Sequence, residues 1–479
     1  MSLSVRGALL WSFAERYASL IVTVASTMLL ARLLTPTQVG IFSLCAAVTT
    51  VAGILRDFGV TEYLIQEKDL TRDKLRAAFG IAIAIAWSIG AAVFSLRGWV
   101  ASYYGEPGVA QVLAVLSLNF LILPFASPAF ALLSREMAFR KIFVIQLSSN
   151  TVQSVMAVGL AYAGFGYMSL AWAPVASILV QTLLVTAFRP SDTFLLPSLK
   201  NARAVLTYGS MFVSSRVIET LTRNAHEFLI AKQFGFGSVG LFSRAFGLLE
   251  LFYNNVTAAI LRVATPAFAD NHRSGEESNK TYGRGTAIMT CVAWPFFGFI
   301  ALMSNEIIHV LFGHQWTGAA PIAAILALSI MPTYLYVLGP SLLAATGQVK
   351  RRLIISLCYS PVHLIAIFTA SFLGMEYIAA AFGLSNLLQL ALYCWHLPKV
   401  LGTSTKTLLA PSLPSGLVAL CSIAAAAAVA QLFKDRDTYE LVLLIFAAVA
   451  AAIVWMIAVL VTNHPILIEI KRLSSKRSS

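Results

Sequence analysis

The amino-acid sequence predicts an all-α protein that crosses a membrane many times. Hydrophobic residues make up 58% of its 479 positions and charged residues only 11%, whereas about a quarter of the residues in a soluble domain are charged. The apolar residues fall into segments of about 20 residues, the length that a helix needs to cross a bilayer. A stretch near the N-terminus also recurs later in the chain. These observations exclude an ordinary water-soluble domain.

Fourteen segments satisfy the length requirement. Turn residues separate them, for example at 35–37, 105–108, 164–166 and 191–197. The first segment is interpreted as a span and not as a cleaved signal, because Glu15 and Arg16 interrupt its apolar region. The predicted spans are 8–31, 38–62, 77–97, 109–133, 142–163, 168–188, 204–231, 238–265, 285–304, 318–345, 353–373, 377–397, 408–432 and 440–462.

The stretch 208–244 repeats the stretch 8–44 at an offset of 200 residues. The matching pairs are Arg16 and Arg216, Ala31 and Ala231, Val39 and Val239, Gly40 and Gly240, Phe42 and Phe242, and Ser43 and Ser243. An even number of spans separates the copies, so they enter the membrane from the same side and form parallel repeats. We predict two six-helix lobes, residues 1–188 and 204–400, a cytoplasmic linker at 189–203, and an extra helical hairpin with a basic tail at 401–479.

Basic residues predict the orientation of the chain. If the N-terminus is cytoplasmic, most of the 34 lysines and arginines lie in cytoplasmic loops or in the basic tail. Those that fall outside are Arg32, Arg97, Lys232, Lys434 and Arg436. The positive-inside rule therefore places both termini in the cytoplasm. The net charge of +13 is explained by these loops and does not indicate nucleic-acid binding.

The remaining basic residues lie inside predicted spans, and all of them are arginines. They are Arg16, Arg56, Arg216, Arg223, Arg244 and Arg262. They occur only in spans 1, 2, 7 and 8, and an arginine at a span centre costs about 2.5 to 3.5 kcal/mol on insertion scales. We therefore predict that these four spans line a cleft between the lobes. The planar guanidinium suits phosphate oxygens, which indicates recognition of an anion.

Structural roles for these arginines remain open at this stage. Arg56, Arg244 and Arg262 lie near span ends, where a long side chain reaches the interface by snorkelling. The deeper arginines have acidic neighbours as alternative ion-pair partners, namely Glu15, Asp57, Glu219 and Glu227. Helical geometry predicts that the side chains of Arg56 and Asp57 point about 100° apart and need not pair.

Three acids and one histidine are candidates for ion coupling. Asp57, Glu219 and Glu227 are either coupling acids or ion-pair partners of the arginines. His226 is either a proton relay or a residue that satisfies a local hydrogen bond. On one helix Arg216, Thr220, Arg223 and Glu227 form a polar stripe, whose counterpart in the first copy is Ser12, Arg16, Ser19, Thr23 and Thr27.

No cofactor or metal site is predicted. The G-x-G-x-x-G pattern at 235–240 follows a membrane helix and not a strand, so it is interpreted as a turn between spans. The chain has no phosphate-binding G-x-x-x-x-G-K-[ST] loop, so any transport is secondary or uses a partner. Its cysteines lack metal-binding spacing and are interpreted as packing residues.

Several short sequence words resemble those of the Wzx-type polysaccharide transporters, the bacterial flippases of lipid-linked oligosaccharides in the MOP exporter superfamily. They are LARLLTP at 30–36, DFG at 57–59, LIQEKDLT at 64–71, EP at 106–107, the basic segment 135–141, GFG at 164–166, VGLF at 239–242 and LFGHQW at 311–316. Their order holds over about 400 residues.

The resemblance implies a transporter, not an enzyme, with a MATE-like pair of helical bundles that alternates between inward-open and outward-open states. Its substrate would be an oligosaccharide repeat unit on undecaprenyl pyrophosphate, moved across the bacterial inner membrane for lipopolysaccharide or exopolysaccharide synthesis. A polysaccharide polymerase and a chain-length regulator would be its partners, besides membrane lipids. The related peptidoglycan-precursor flippases carry cleft arginines on the first, second and eighth spans, which matches Arg16, Arg56, Arg244 and Arg262 by location.

Two other classes remain as alternatives. The first is a cation-coupled exporter of drugs or other small molecules, in which one of the acids would bind H⁺ or Na⁺. The second is a glycan polymerase or membrane glycosyltransferase. That class normally needs a sizeable outer loop with catalytic carboxylates, and the longest outer loops here are only 98–108 and 305–317.

Overall fold

The computed structural model describes residues 5–67, 69–189, 196–198, 202–274, 278–433 and 439–468, and the regular structure within these ranges is helical. Eleven of the described helices are long and apolar enough to cross a membrane. This confirms the predicted all-α polytopic membrane class. The number of fourteen spans and the bounds of the two lobes stay predictions.

The chain forms two compact units, Met1–Gly240 and Leu241–Ser479. The helices of the first unit are α1 (Val5–Leu33), α2 (Pro36–Asp57), α3 (Val60–Gln66), α4 (Arg72–Tyr104), α5 (Pro107–Arg135), α6 (Phe139–Tyr162), α7 (Tyr167–Phe188) and most of α8 (Ala202–Phe252).

The second unit begins within α8, and a π-helical turn at Tyr253–Thr257 follows that helix. Its further helices are α9 (Ala258–Ser274), α10 (Ser278–Leu302), α11 (Ser304–Phe312), α12 (Ala319–Ile330), α13 (Gly339–Ala345), α14 (Val349–Ala370), α15 (Met375–Leu401), α16 (Thr405–Leu409), α17 (Leu413–Leu432) and α18 (Glu440–Val461). Short 3-10 turns occupy His314–Trp316, Met331–Leu335 and Ala410–Ser412.

Helix α2 has well-defined ends that its sequence explains. Thr35 caps its N-terminus by accepting a hydrogen bond from the Gln38 amide at 3.3 Å, and the Gln38 side chain accepts one in return from the Thr35 amide at 3.0 Å. The helix ends at Asp57, because Phe58 (φ 39°) and Gly59 (φ 65°) adopt the left-handed conformation. The DFG motif therefore ends the helix at Asp57, before the end of the predicted span 38–62.

The short helix α3 is packed into the first unit by apolar and polar contacts. Its Leu64 is fully buried in a cluster with side chains of α4 and α5. Arg135, at the end of α5, donates a hydrogen bond to the Leu64 carbonyl at 2.9 Å and a second one to the Glu67 carbonyl. Glu67 also accepts a hydrogen bond from Lys74 at 2.9 Å, which lowers the pKa of its carboxyl group. These contacts fix the residues that follow the DFG word.

Helices α2 and α8 cross at two glycines. A Cβ atom on Gly40 would lie 1.8 Å from the Phe236 carbonyl oxygen, and one on Gly240 would lie 2.0 Å from the Pro36 carbonyl oxygen. The two contacts are equivalent: Gly40 and Gly240 are 200 residues apart, and so are their partners Pro36 and Phe236. This is expected for equivalent positions of a duplication. Only glycine allows this approach between backbones. Gly235, with φ 78°, interrupts α8 just before the crossing, so the G-x-G-x-x-G pattern marks a break between helical segments.

A buried polar network in the second unit joins the C-terminal hairpin to α10. Ser415 of α17 donates to the Ala287 carbonyl at 3.1 Å and accepts from Thr290 at 2.9 Å. Its hydroxyl also lies 3.0 Å from Nε2 of His464, which follows α18 and is fully buried. Burial lowers the pKa of His464. The two helices that the sequence analysis placed outside the duplication thus pack as a hairpin onto the rest of this unit.

Candidate functional site

A cavity of about 360 Å³ opens in the first unit beside the C-terminal end of α2. Its volume lies within the range of small-ligand sites, about 300 to 1,000 Å³. Residues of α2, α5 and α7 line it: Thr49, Thr50, Gly53, Ile54, Arg56, Asp57, Leu116, Asn119, Phe120 and Ile178. Two of the sequence-predicted site residues, Arg56 and Asp57, therefore lie together in one polar cavity.

Arg56 and Asp57 form an ion pair at this cavity. Nη2 and Nε of Arg56 donate to Oδ1 of Asp57 at 2.6 Å and 2.9 Å. This corrects the prediction that the two side chains need not pair. The arginine side chain is long enough to reach the carboxylate of the next residue at the end of the helix, although the two Cα–Cβ bonds point in different directions. A guanidinium carries five N–H donors, so Arg56 keeps donors for a further acceptor.

An aromatic ring and uncharged polar groups complete the cavity wall. The guanidinium carbon of Arg56 lies 5.6 Å from the centre of the Phe120 ring, a cation–π distance. Asn119, next to that ring on α5, has a buried Oδ1 that accepts no hydrogen bond within the described residues. Thr49 and Thr50 donate to the carbonyls of Cys45 and Ala46 at 3.0 Å and 2.7 Å, so their oxygens remain as acceptors.

Asn119 and Phe120 are not among the site residues predicted from the sequence. The available signal was weak: Asn119 is an amide deep within the apolar span predicted at 109–133. A single asparagine there also fits a helix-packing role. Only the fold brings α5 against the end of α2 and so places this amide next to Arg56.

Arg244, in the second unit, has a different environment. Its guanidinium carbon lies 5.0 Å from the centre of the Trp316 ring and 5.6 Å from that of Phe312. Trp316 is fully buried, and Nε of Arg244 is buried without a hydrogen-bond partner among the described residues. Both rings belong to the LFGHQW motif at residues 311–316. Arg244 is thus held by aromatic faces and does not snorkel.

The polar stripe of α8 divides into exposed and buried residues. Glu219 and Arg223 are exposed, whereas His226 and Glu227 are buried. Nε2 of His226 lies 3.8 Å from Oε1 of Glu227. The structure therefore brings one acid and the histidine together inside the first unit and leaves Glu219 at the surface of that unit.

The remaining arginines are placed by their helices. Arg262 of α9 is exposed in the second unit. Arg16 and Arg216 lie on α1 and α8, but their side chains fall outside the described part of the structure. Their assignment to the anion site, like that of Arg223, stays a prediction. In the first copy of the stripe, Ser19 accepts a hydrogen bond from Asn150 of α6 at 3.2 Å.

Comparison with known families gives a match over more than half of the chain. Residues 29–321 match the family described as polysaccharide biosynthesis protein. The chain is 26% identical to the succinoglycan biosynthesis transport protein ExoT of Rhizobium meliloti (strain 1021), over 67% of this chain and 65% of that protein. It is 24% identical to the lipopolysaccharide biosynthesis protein WzxC of Escherichia coli (strain K12), over 62% of this chain and 61% of that protein.

A third relative is matched over more of its length. The chain is 22% identical to the teichuronic acid biosynthesis protein TuaB of Bacillus subtilis (strain 168), over 79% of this chain and 80% of that protein. For ExoT and WzxC, the match spans less than two thirds of the relative's own length.

Solved structures resemble the fold. The lipid II flippase MurJ in an inward closed conformation aligns with a TM-score of 0.78 at 13% identity, over 96% of this chain and all of that one. An inward-facing multidrug resistance MATE family transporter of the MOP superfamily aligns with a TM-score of 0.61, also at 13% identity, over 80% of this chain and 94% of that one. The predicted MOP-like fold is thereby confirmed.

Proposed function

Because the chain belongs to the polysaccharide biosynthesis protein family, a family of transporters, we propose that it translocates a polyprenyl-pyrophosphate-linked oligosaccharide repeat unit across the bacterial inner membrane. The product would serve surface polysaccharide or exopolysaccharide synthesis. The single observation that carries this proposal is the cavity at the end of α2, where a cation, an aromatic ring, an amide and two hydroxyl groups share one wall.

Each of these groups matches a part of such a substrate. Arg56 has free guanidinium donors for a pyrophosphate oxygen, and arginine binds phosphate in a planar, often bidentate geometry. The buried Oδ1 of Asn119 and the hydroxyl oxygens of Thr49 and Thr50 accept hydrogen bonds from sugar hydroxyls. The ring of Phe120 offers an apolar face to a sugar ring. The cavity therefore suits a head group that is both anionic and rich in hydroxyls.

The polyprenyl tail stays in the lipid while the head group crosses. Translocation proceeds by alternating access of a central cleft, to which Arg16, Arg216, Arg223, Arg244 and Arg262 contribute positive charge. Both termini lie in the cytoplasm, as the distribution of basic residues predicts. The substrate is received from the glycosyltransferases that build it and passed to a polysaccharide polymerase and a chain-length regulator.

The cation-coupled small-molecule exporter is less well supported. It needs an acid that is free to bind H⁺ or Na⁺, and Asp57 already accepts two hydrogen bonds from Arg56. Glu227 lies beside His226 and stays the stronger candidate for coupling. A flippase couples to an ion through such a group as well, so coupling by itself does not distinguish the two classes.

The test is export of polysaccharide by cells that carry Arg56→Ala or Arg56→Lys in place of the wild-type gene. We expect Arg56→Ala to lower the amount of surface polymer more than tenfold at equal protein level. Arg56→Lys should retain part of the export, because the lysine ammonium keeps the positive charge but lacks the planar set of donors of a guanidinium. The matched control is Arg273→Ala, which breaks an exposed arginine–aspartate pair with Asp270. Drug tolerance should not change in any of these strains.

Two results would reject the proposal. One is normal polymer export by Arg56→Ala, since the cavity would then play no part. The other is a loss of tolerance to several unrelated drugs in the Arg56→Ala strain, which would favour the exporter.

A further inference from the structure

Two histidines and a glutamate meet in the second unit, away from the cavity. His309 lies in the last turn of α11, His314 follows it after Gly313, and Glu440 begins α18. Nδ1 of His309 is 2.8 Å from Oε1 of Glu440, and the two imidazole centres are 4.3 Å apart. One ligand atom from each of the three side chains lies within 4.8 Å of the other two.

The local backbone explains why the two histidines face each other. Gly313, with φ 96°, ends α11 and reverses the chain, a conformation that glycine adopts readily. The hydroxyl of Thr317 lies 2.9 Å from Nε2 of His309 and donates to the His314 carbonyl at 2.6 Å. It thereby holds the His309 ring and the His314 backbone together. Outer contacts of this kind orient histidines at metal sites.

We propose that His309, His314 and Glu440 form a binding site for a divalent transition metal of the zinc class. Two imidazoles and one carboxylate are a known ligand set for Zn²⁺, and the hard cations Mg²⁺ and Ca²⁺ prefer oxygen ligands alone. With bonds of about 2.0 to 2.2 Å, the ligand atoms of a tetrahedral zinc lie about 3.3 Å apart. The three ligand atoms already lie within 4.8 Å of one another, so each pair is within about 1.5 Å of this spacing.

The site would fasten three segments that are distant in the sequence. The ligands connect the end of α11, the turn His314–Trp316 and the start of α18. The same turn carries Trp316, which packs on Arg244. A bound metal therefore holds this aromatic wall in place and stabilises the second unit. On the predicted topology the site lies on the non-cytoplasmic side of the membrane, where free metal ions have access to it.

The site can be tested on the purified full-length protein after tag removal and chelator treatment. Titration with ZnCl₂, followed by calorimetry and metal analysis, should give one tightly bound Zn²⁺ per chain and a higher melting temperature. Cobalt(II) should give the visible absorption bands of a tetrahedral site. His314→Ala and Glu440→Gln should each lower the affinity at least tenfold, since loss of an outer-shell partner alone costs 10- to 100-fold.

The matched control is His272→Ala, which removes an exposed histidine elsewhere in the second unit and should bind Zn²⁺ like the wild type. His314 is itself exposed, so its replacement should leave the fold intact, as the melting curve without metal will report. The proposal is overturned if the chelated wild type takes up no Zn²⁺. It is also overturned if His314→Ala and Glu440→Gln bind as the wild type does, or if millimolar Mg²⁺ displaces the zinc.

Discussion

The equivalent helical segments 36–57 and 236–257 share a glycine crossing but carry their charge at different places. In the first segment the charged pair Arg56 and Asp57 lies at the end of the helix and lines a cavity. The equivalent positions in the second segment are Val256 and a fully buried Thr257, which donates to the Tyr334 hydroxyl at 3.4 Å. The two copies have therefore kept a backbone contact and changed their polar chemistry.

The reverse substitution occurs nearer the crossing. Arg244 stands where the first segment has Leu44, which is fully buried. Position 244 lies 12 residues before position 256, or about 18 Å along a helix. At the arginine position, the LFGHQW segment supplies the rings of Phe312 and Trp316 beside the guanidinium. An arginine in a predicted span therefore lies either in an open cavity, like Arg56, or between buried aromatic rings, like Arg244, and the neighbouring segments determine which.

The largest expected effect comes from breaking the feature that the two segments share. Gly40→Ala and Gly240→Ala each place a methyl group within 2.0 Å of a backbone oxygen. Overpacking that neighbours can relieve costs about 1 to 3 kcal/mol, but a carbonyl oxygen in a packed helix cannot move aside. We therefore expect the two helices to fail to pack, with the largest fall in melting temperature and in the yield of monodisperse protein. Size-exclusion chromatography and thermal unfolding of the purified variants measure this.

Two glycines of the same segments serve as controls for the crossing. A Cβ on Gly53 meets its nearest atom, in the Arg56 side chain, at 3.9 Å, and one on Gly247 meets nothing within 4 Å. Gly53→Ala and Gly247→Ala should therefore match or exceed the wild type in stability, because alanine favours helix. Equal melting temperatures for Gly40→Ala and Gly53→Ala would contradict the crossing.

The next effect concerns the aromatic wall of Arg244. Trp316→Ala removes a fully buried indole, which costs about 3 to 5 kcal/mol in a core and also exposes the guanidinium. The matched control is Trp99→Ala, since Trp99 is 67% exposed and a surface change usually stays within about 0.5 kcal/mol. Thermal unfolding of both variants should separate them clearly, and similar melting temperatures would show that the ring does not support this helix.

A smaller effect on stability is expected when position 244 of the second segment receives leucine, the residue at the equivalent position 44 of the first segment. Arg244→Leu replaces a buried charged group by an apolar one, an exchange that is often neutral or stabilising. We expect an unchanged or higher melting temperature and a smaller loss of polymer export than for Arg56→Ala. Polymer export in cells and the melting temperatures of the purified Arg244→Leu and Arg56→Ala variants test this expectation. A loss of export as severe as that of Arg56→Ala would show that Arg244 contributes to translocation as much as Arg56 does.

The smallest effect concerns the partner of Arg56. Asp57→Asn removes the negative charge from a pair whose aspartate is 52% exposed, so stability should change by less than about 1 kcal/mol. The uncompensated guanidinium should bind inorganic pyrophosphate a few-fold more tightly, and added salt should reduce that gain. Calorimetric titration of wild type and variant at two salt concentrations measures both effects. Weaker binding by the variant would indicate that Asp57 orients Arg56.

The fold class was predictable from the sequence because a membrane imposes strong constraints on composition. Spans need length and apolar residues, and both are visible in a linear chain. The N-terminal end of α2 was also predictable, since Thr35 and Pro36 act on the adjacent backbone, whereas the predicted span 38–62 runs past the break at Asp57-Phe58-Gly59. Arg56 and Asp57 were identified as candidates for the same reason: ionisable groups are rare inside spans.

The sequence could not predict which groups meet in space. Asn119 and Phe120 reach Arg56 from a helix more than 60 positions away, and Glu440 reaches His309 from 131 positions away. The pairing of Arg56 with Asp57 was missed because the angular rule for helices ignores the length of an arginine side chain. The environment of Arg244 depends on LFGHQW, which carries no signal of contact with α8.

The reciprocal contact of Gly40 with Phe236 and of Gly240 with Pro36 also sets an order for biogenesis. Helix α2 is synthesised about 200 residues before its partner, which at 5 to 20 residues per second amounts to about 10 to 40 s. During that time the face of α2 that carries Gly40 lies in the bilayer without the α8 backbone that packs against it in the complete protein. The first unit is completed only when residues 236–240 of α8 have been synthesised, so a fragment that stops before residue 236 should be a substrate for membrane proteases.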